Sequence, residues 1–252
     1  MMRWPYPKLV AHRGGGKLAP ENTMAGMRAA HEHGFTAVEF DVKLSVDGVA
    51  LLMHDDTLAR TTNGSGLFRE YTAAQLAALD AGAWEDARFQ GEPIPRFEAV
   101  MHYLAAQQML ANVEIKPCAG REAETGRAVA LLAESLVADQ VHKPLISSFS
   151  VAALRAAASA APSLPRALLV EHYTATDDDV LAELGCVGLN CAWDAIEPAM
   201  LAHLHARGLH VMAYTVNEVA LAERLFALGV DGIFTDALDA MAARFPAALA
   251  VQ

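Results

Sequence analysis

Cysteine is scarce, with three in 252 residues at positions 118, 186 and 191. An odd, widely spaced set fits neither a disulfide framework nor a zinc-ligand pattern, and points to a reducing, cytoplasmic setting. Basic residues are also short: 19 Lys and Arg against 30 Asp and Glu leave a net charge of −11. Nucleic acid or anionic lipid would need clustered cations, so neither is an expected partner. No apolar run approaches the ~18 residues that span a bilayer. The opening Met1-Met2-Arg3-Trp4-Pro5 lacks the apolar core of a signal peptide, and no apolar loop suggests stable membrane association. What is abundant is apolar content, 54% of the chain, enough to build a sizeable core.

Punctuation organises that content. Gly34, Gly185, Gly208 and Gly229 each follow a helix-like stretch and precede an apolar run. Residues 217–228 have apolar positions at 221, 225 and 228, with Asn217 placed as the capping residue. Thr176 with Asp177–Asp179 opens another helix, and a third begins near Pro20-Glu21-Asn22-Thr23 and runs to His33. Between helices lie eight short, non-alternating apolar runs of the kind that form buried parallel strands. They are Leu9–His12, Val38–Val42, Asn112–Lys116, Leu145–Phe149, Ala167–Glu171, Val187–Cys191, His210–Val216 and Gly232–Thr235. Eight such runs interleaved with helices predict an α/β fold, a (β/α)₈ TIM barrel in a single catalytic domain over residues 1–252. An open doubly wound sheet fits less well, because no Gly-rich dinucleotide turn follows the first strand.

A ninth run, Val49–His54, follows Asp47-Gly48, a strong hairpin signal. A two-residue turn would pair 46 with 49 and set His54 opposite Asp41. Residues 45–95 then form a hairpin and loop insertion after the second strand.

Active sites of such barrels lie at the C-terminal ends of the strands. Those ends carry His12 and Arg13, Glu39 and Asp41, His54, then Glu114 and Lys116. Three carboxylates are hard oxygen ligands, suited to one divalent cation such as Mg²⁺ or Ca²⁺. Two histidines can share general acid and base duties, and Arg13 with Lys116 can hold an anion. Gly14–Gly16 adds backbone N–H groups that could approach oxygens. Together these describe metal-assisted phosphodiester cleavage. Two His-x-His pairs, His31/His33 and His203/His205, lie in helical stretches, where positions two apart diverge by ~200° and cannot chelate one ion. Asp55 and Asp56 read as loop residues, Cys118 has no evident partner base, and the Ala-rich Val151–Ala161 reads as a small-residue helix packed on the barrel.

The order of motifs resembles the glycerophosphodiester phosphodiesterase family. The resemblance runs through His12-Arg13-Gly14, Ala19-Pro20-Glu21-Asn22-Thr23, Glu39-x-Asp41, His54-Asp55, Arg60-Thr61-Thr62, Glu114-x-Lys116, Ser147-Ser148-Phe149, Tyr214-Thr215-Val216-Asn217 and Asp231–Asp236. The triple glycine and Trp4-Pro5-Tyr6-Pro7 are most similar to a cytoplasmic bacterial branch serving glycerol-3-phosphate uptake. The resemblance implies hydrolysis of small-molecule glycerophosphodiesters to sn-glycerol 3-phosphate and an alcohol. It implies His12 and His54 as the acid/base pair, and Glu39, Asp41 and Glu114 as metal ligands. Arg13 and Lys116 would bind phosphate, with Tyr214, where many members have Trp, walling the substrate pocket. Against this stands a non-catalytic barrel that only binds phosphorylated glycerol compounds. The histidine pair argues for the enzyme, since a pure binder needs none.

Overall fold

The computed structural model describes residues 4–137 and 143–251. Eight parallel strands close a barrel: β1 (Leu9–Ala11), β2 (Ala37–Leu44), β4 (Leu110–Ile115), β5 (Leu145–Ser148), β6 (Arg166–Val170), β7 (Gly188–Ala192), β8 (His210–Tyr214) and β9 (Gly232–Thr235). Each pairs with its neighbour in order, β1 lies beside β9, and a β1–β2 pairing at Ala11 and Val38 completes the ring. All eight expected runs are strands, with ends moved by up to two residues.

The sequence of β2 shows why the barrel holds charge at its mouth. Its eight residues are all buried, and alternate ones face opposite ways. Val38, Phe40 and Val42 join the large core between barrel and helices, each contributing about 1.5–3 kcal/mol on burial. Glu39, Asp41 and Lys43 take the other face. A smaller cluster of Val10, Ala37, Leu110, Leu145, Ala167, Met212 and Phe234 fills the lower lumen, where Trp4 and Tyr6 join it.

The helices obey ordinary end chemistry. In α1 (Met24–Glu32), the Thr23 hydroxyl accepts the Gly26 N–H at 3.1 Å, while Ala25, Met27 and Ala30 turn inward. α8 (Val219–Leu228) stops at Gly229, whose φ of 107° lets its N–H reach the Leu225 and Phe226 carbonyls. α4 (Glu122–Leu136) and α5 (Val151–Ala160) pack closely: a Cβ on Gly126 would lie 2.1 Å from the Ala153 carbonyl oxygen. The Ala-rich segment is therefore a packing helix, as expected. The His-x-His pairs also fall in or at the end of helices. His203 and His205 of α7 (Pro198–Ala206) bond different carboxylates, Asp178 and Asp231.

The hairpin differs from expectation by one residue. β3 (Ala50–Leu52) runs antiparallel to β2 with Val42 opposite Leu52 and Leu44 opposite Ala50. Met53, whose N–H donates to the Asp41 carbonyl, therefore lies opposite Asp41, and His54 falls one residue further on. The turn has three residues because Ser45 closes it. Its hydroxyl accepts the Val49 N–H and donates to Asp47, whose carboxylate also takes the Ala73 N–H of α2 (Ala73–Ala77). The rest of the insertion is a folded cap with its own core of Leu51, Leu58, Phe68, Leu76 and Ile94. Cys118 is buried in that core, and burial pushes its thiol pKa up. Among the described residues, no helix is long and apolar enough to cross a membrane.

Candidate active site

Glu39 and Asp41 leave the lumen face of β2, and Glu114 leaves the adjacent β4, where Asp41 is directly paired with Glu114. Their carboxylate oxygens lie within 4.8 Å of one another, and all three side chains are buried. Crowding three acids out of water has a clear electrostatic signature. Burial and the Asp41 charge push Glu39 up to about 7 and Glu114 up to about 8. Burial opposes ionisation of Asp41 too, but Arg13 and Lys116 outweigh it and hold Asp41 below the usual carboxylate range. Arg13 Nε lies 3.6 Å from Asp41, and Lys116 Nζ lies 2.8 Å from Glu114 and 3.7 Å from Asp41.

The two imidazoles are anchored alike. His12 Nδ1 is 2.6 Å from Asp236 Oδ1, and His54 Nδ1 is 2.6 Å from Asp55 Oδ1. Anchoring Nδ1 fixes each ring and leaves Nε2 for proton transfer. The His12 Nε2 is 3.8 Å from Glu39. Burial lowers both histidine pKa values, but the balance differs. The Asp236 hydrogen bond and the Glu39 charge raise His12 overall, whereas His54 stays below its ordinary value despite Asp41 and Asp55.

His12, Arg13, Glu39, His54, Glu114, Lys116 and Tyr214 line one cavity of about 620 Å³ at the barrel mouth. Asp41 adjoins it through its contacts with Arg13 and Lys116. The structure thus brings all eight proposed catalytic, metal-binding and substrate-binding residues to one region. Tyr214 spends its hydroxyl on the Val170 carbonyl at 2.8 Å, so its ring alone faces the cavity, edge-on to Phe149.

Two expectations are corrected. Gly14 and Gly16 do not offer free N–H groups: these donate to the Glu39 and His12 carbonyls. The glycines serve close packing instead, since a Cβ on Gly15 would meet Ala19 at 2.8 Å and one on Gly16 would meet the Asp236 backbone oxygen at 2.3 Å. Asn217 does not cap α8, which begins two residues later with no side-chain cap. Its amide instead grips Asp236, donating to Oδ2 at 2.9 Å and accepting the Asp236 N–H at 2.7 Å.

Sequence reasoning missed the residues that hold these groups. Asp236 had a signal, an acid directly after the β9 strand end. Asp55, read as loop, orients its neighbour His54. Asn22 donates to Asp41 Oδ2 at 2.8 Å and accepts the Asp41 N–H at 3.0 Å. Glu21 accepts from Arg13 and Arg60.

The model of the Glycerophosphoryl diester phosphodiesterase family matches residues 12–240. The chain belongs to the glycerophosphoryl diester phosphodiesterase family. Membership makes it an enzyme, a phosphoric diester hydrolase. The glycerophosphodiester phosphodiesterase of Caldanaerobacter subterraneus subsp. tengcongensis is 32% identical over 228 residues, covering 90% of this chain and 93% of its own. The structure of an Oleispira antarctica phosphodiesterase in complex with the product sn-glycerol-3-phosphate superposes with a TM-score of 0.90. It is 34% identical and covers 96% of this chain and 97% of that one. A glycerophosphodiester phosphodiesterase from Agrobacterium tumefaciens gives a TM-score of 0.79 at 31% identity, covering 94% and 99%. Within the family, the barrel and its eight parallel strands are the expected architecture.

Proposed function

We propose that this phosphodiesterase hydrolyses soluble glycerophosphodiesters to sn-glycerol 3-phosphate and an alcohol, using His12 and His54 as its acid/base pair. The observation that carries the reading is the meeting of three buried carboxylates with two carboxylate-anchored imidazoles in one small-molecule cavity. The Oleispira relative, with sn-glycerol 3-phosphate as its product, supports the choice of substrate.

The carboxylates fit a metal. Burial and the Asp41 charge push Glu39 and Glu114 up toward the protonated form, a cost that a cation among the three acids would relieve, and their all-oxygen donor set suits Mg²⁺ or Ca²⁺. Glu39, Asp41 and Glu114 would hold the ion, which when bound would supply Lewis-acid charge for the phosphodiester. Arg13 and Lys116, already at the edge of this cluster, neutralise and orient the phosphate. Nε2 of one imidazole takes the proton of the attacking oxygen, of water or of the glycerol 2-hydroxyl, as that oxygen bonds to phosphorus. As the bond from phosphorus to the leaving oxygen breaks, Nε2 of the other gives that oxygen a proton; on the 2-hydroxyl route water then opens the cyclic phosphate. Tyr214 and Phe149 wall the glycerol side of the cavity.

On this reading residues 1–252 act as a single catalytic domain, the insertion included. Cys118, Cys186 and Cys191 are free thiols, which supports a cytoplasmic site of action. A place beside glycerol-3-phosphate uptake follows from the likeness of its N-terminal motifs to that bacterial branch. Phosphorus NMR of a glycerophosphocholine digest tests the reaction: sn-glycerol 3-phosphate and choline are expected. Phosphocholine and glycerol, or no product, would refute it.

A further inference from the structure

Within the insertion after β2, Arg60 links two carboxylates that hold groups of the proposed site. Arg60 follows the fully buried Leu58 and precedes the buried Thr61 and Thr62. Thr62 bonds the Leu58 carbonyl through both its hydroxyl and its N–H, at 2.7 and 3.1 Å, so the segment carrying Arg60 is a fixed turn. From there the guanidinium makes four bonds to two carboxylates. Nε and Nη2 donate to Asp55 at 2.6 and 3.0 Å, while Nη1 and Nη2 donate to Glu21 at 2.7 and 2.8 Å. Each carboxylate then makes one further side-chain bond inward. Asp55 anchors His54 Nδ1 at 2.6 Å, and Glu21 accepts from Arg13 Nη1 at 2.9 Å.

Resting on the function proposed above, we infer that Arg60 is a positioning residue that sets His54 and Arg13 together, one through each arm of its fork. An isolated exposed ion pair would do little, because water competes for both partners. Here a rigid planar donor holds two carboxylates at once, which fixes their rotation as well as their charge. Without it, Asp55 and Glu21 keep their inner bonds but lose the restraint on their direction. The Asp55 arm governs proton transfer and therefore kcat. The Glu21 arm governs the phosphate-facing arginine and therefore KM. Lysine cannot replace the fork, having one nitrogen where the two carboxylates use three.

The test is steady-state hydrolysis of glycerophosphocholine by wild type, Arg60→Ala and Arg60→Lys, alone and in Asp55→Asn and Glu21→Gln backgrounds. Arg60→Ala is expected to lower kcat/KM by about 10–100-fold, the usual cost of losing a group that orients a catalytic ligand. Arg60→Lys should recover less than a tenth of the loss, and millimolar guanidinium should partly restore Arg60→Ala while leaving wild type unchanged. In the Asp55→Asn background Arg60→Ala should change only KM, and in the Glu21→Gln background only kcat. Arg60→Ala activity within threefold of wild type would overturn the inference. So would losses that add in full in both backgrounds, or a loss cancelled in only one. An inactive wild type would refute the proposed reaction instead. Calorimetric binding of sn-glycerol 3-phosphate would then still report on the Glu21 arm, with unchanged affinity in Arg60→Ala overturning the inference.

Discussion

Replacing Asp236 by asparagine removes one charge with almost no change in shape, and the surrounding hydrogen bonds dictate the outcome. Asn217 Nδ2 donates to Asp236 Oδ2, so the carbonyl oxygen of the new amide must occupy that position. Its NH₂ then takes the place of Oδ1, 2.6 Å from His12 Nδ1. A donor there forces Nδ1 to accept and moves the imidazole proton to Nε2. A neutral His12 could no longer take a proton at Nε2, and a charged His12 would lose its counterion. The same carboxylate-to-amide change in a Ser-His-Asp triad lowers kcat by ~10⁴ through the wrong tautomer. With His12 as half of the proposed acid/base pair, the loss expected here is roughly 10²–10⁴-fold in kcat. Because Asp236 helps to raise the His12 pKa, the pH–rate limb belonging to His12 should also move to lower pH. Release of sn-glycerol 3-phosphate measured from pH 6 to 9 reads both effects. Asp236→Asn activity within tenfold of wild type across that range would refute the reasoning.

Other consequences follow from the same geometry. His12→Ala and His54→Ala should each abolish most turnover while calorimetry finds divalent-cation binding largely intact. Glu39 and Glu114 titrate near 7 and 8 when metal-free, above an unfolded carboxylate. The folded protein thus holds protons that the unfolded chain has released, so metal-free stability should fall as pH rises from about 5 to about 8. Added Mg²⁺ or Ca²⁺ should reverse that fall, and its affinity should be higher at pH 8 than at pH 6. Thermal melts at the two pH values, with and without cation, check both signs. Gly126→Ala should destabilise the α4–α5 contact by about 1–2 kcal/mol, lowering the melting temperature by several degrees, since its Cβ meets backbone and not a flexible side chain.

The barrel was legible because buried parallel strands are apolar on both faces and glycines mark the helix ends between them. Glu39, Asp41, Glu114 and the two histidines stood out as charge set into such strands or at their ends. What stayed hidden was long-range polar pairing. Asp236 meets His12 across 224 positions and Arg60 meets Glu21 across 39, and no periodicity reports such contacts. Local rules misled where a tertiary partner outbid them. Asn217 has a capping residue's chemistry, but spends it on Asp236. Asp47-Gly48 has a two-residue turn's chemistry, yet Ser45 and the Asp47–Ala73 bond draw the turn out by one residue and shift the register.

Chelation tests the central claim most directly. Treated with EDTA and freed of it by dialysis, the protein should release no sn-glycerol 3-phosphate from glycerophosphocholine, and Mg²⁺ or Ca²⁺ should restore turnover. Asp41→Asn should resist that restoration. Undiminished hydrolysis after chelation would contradict the account.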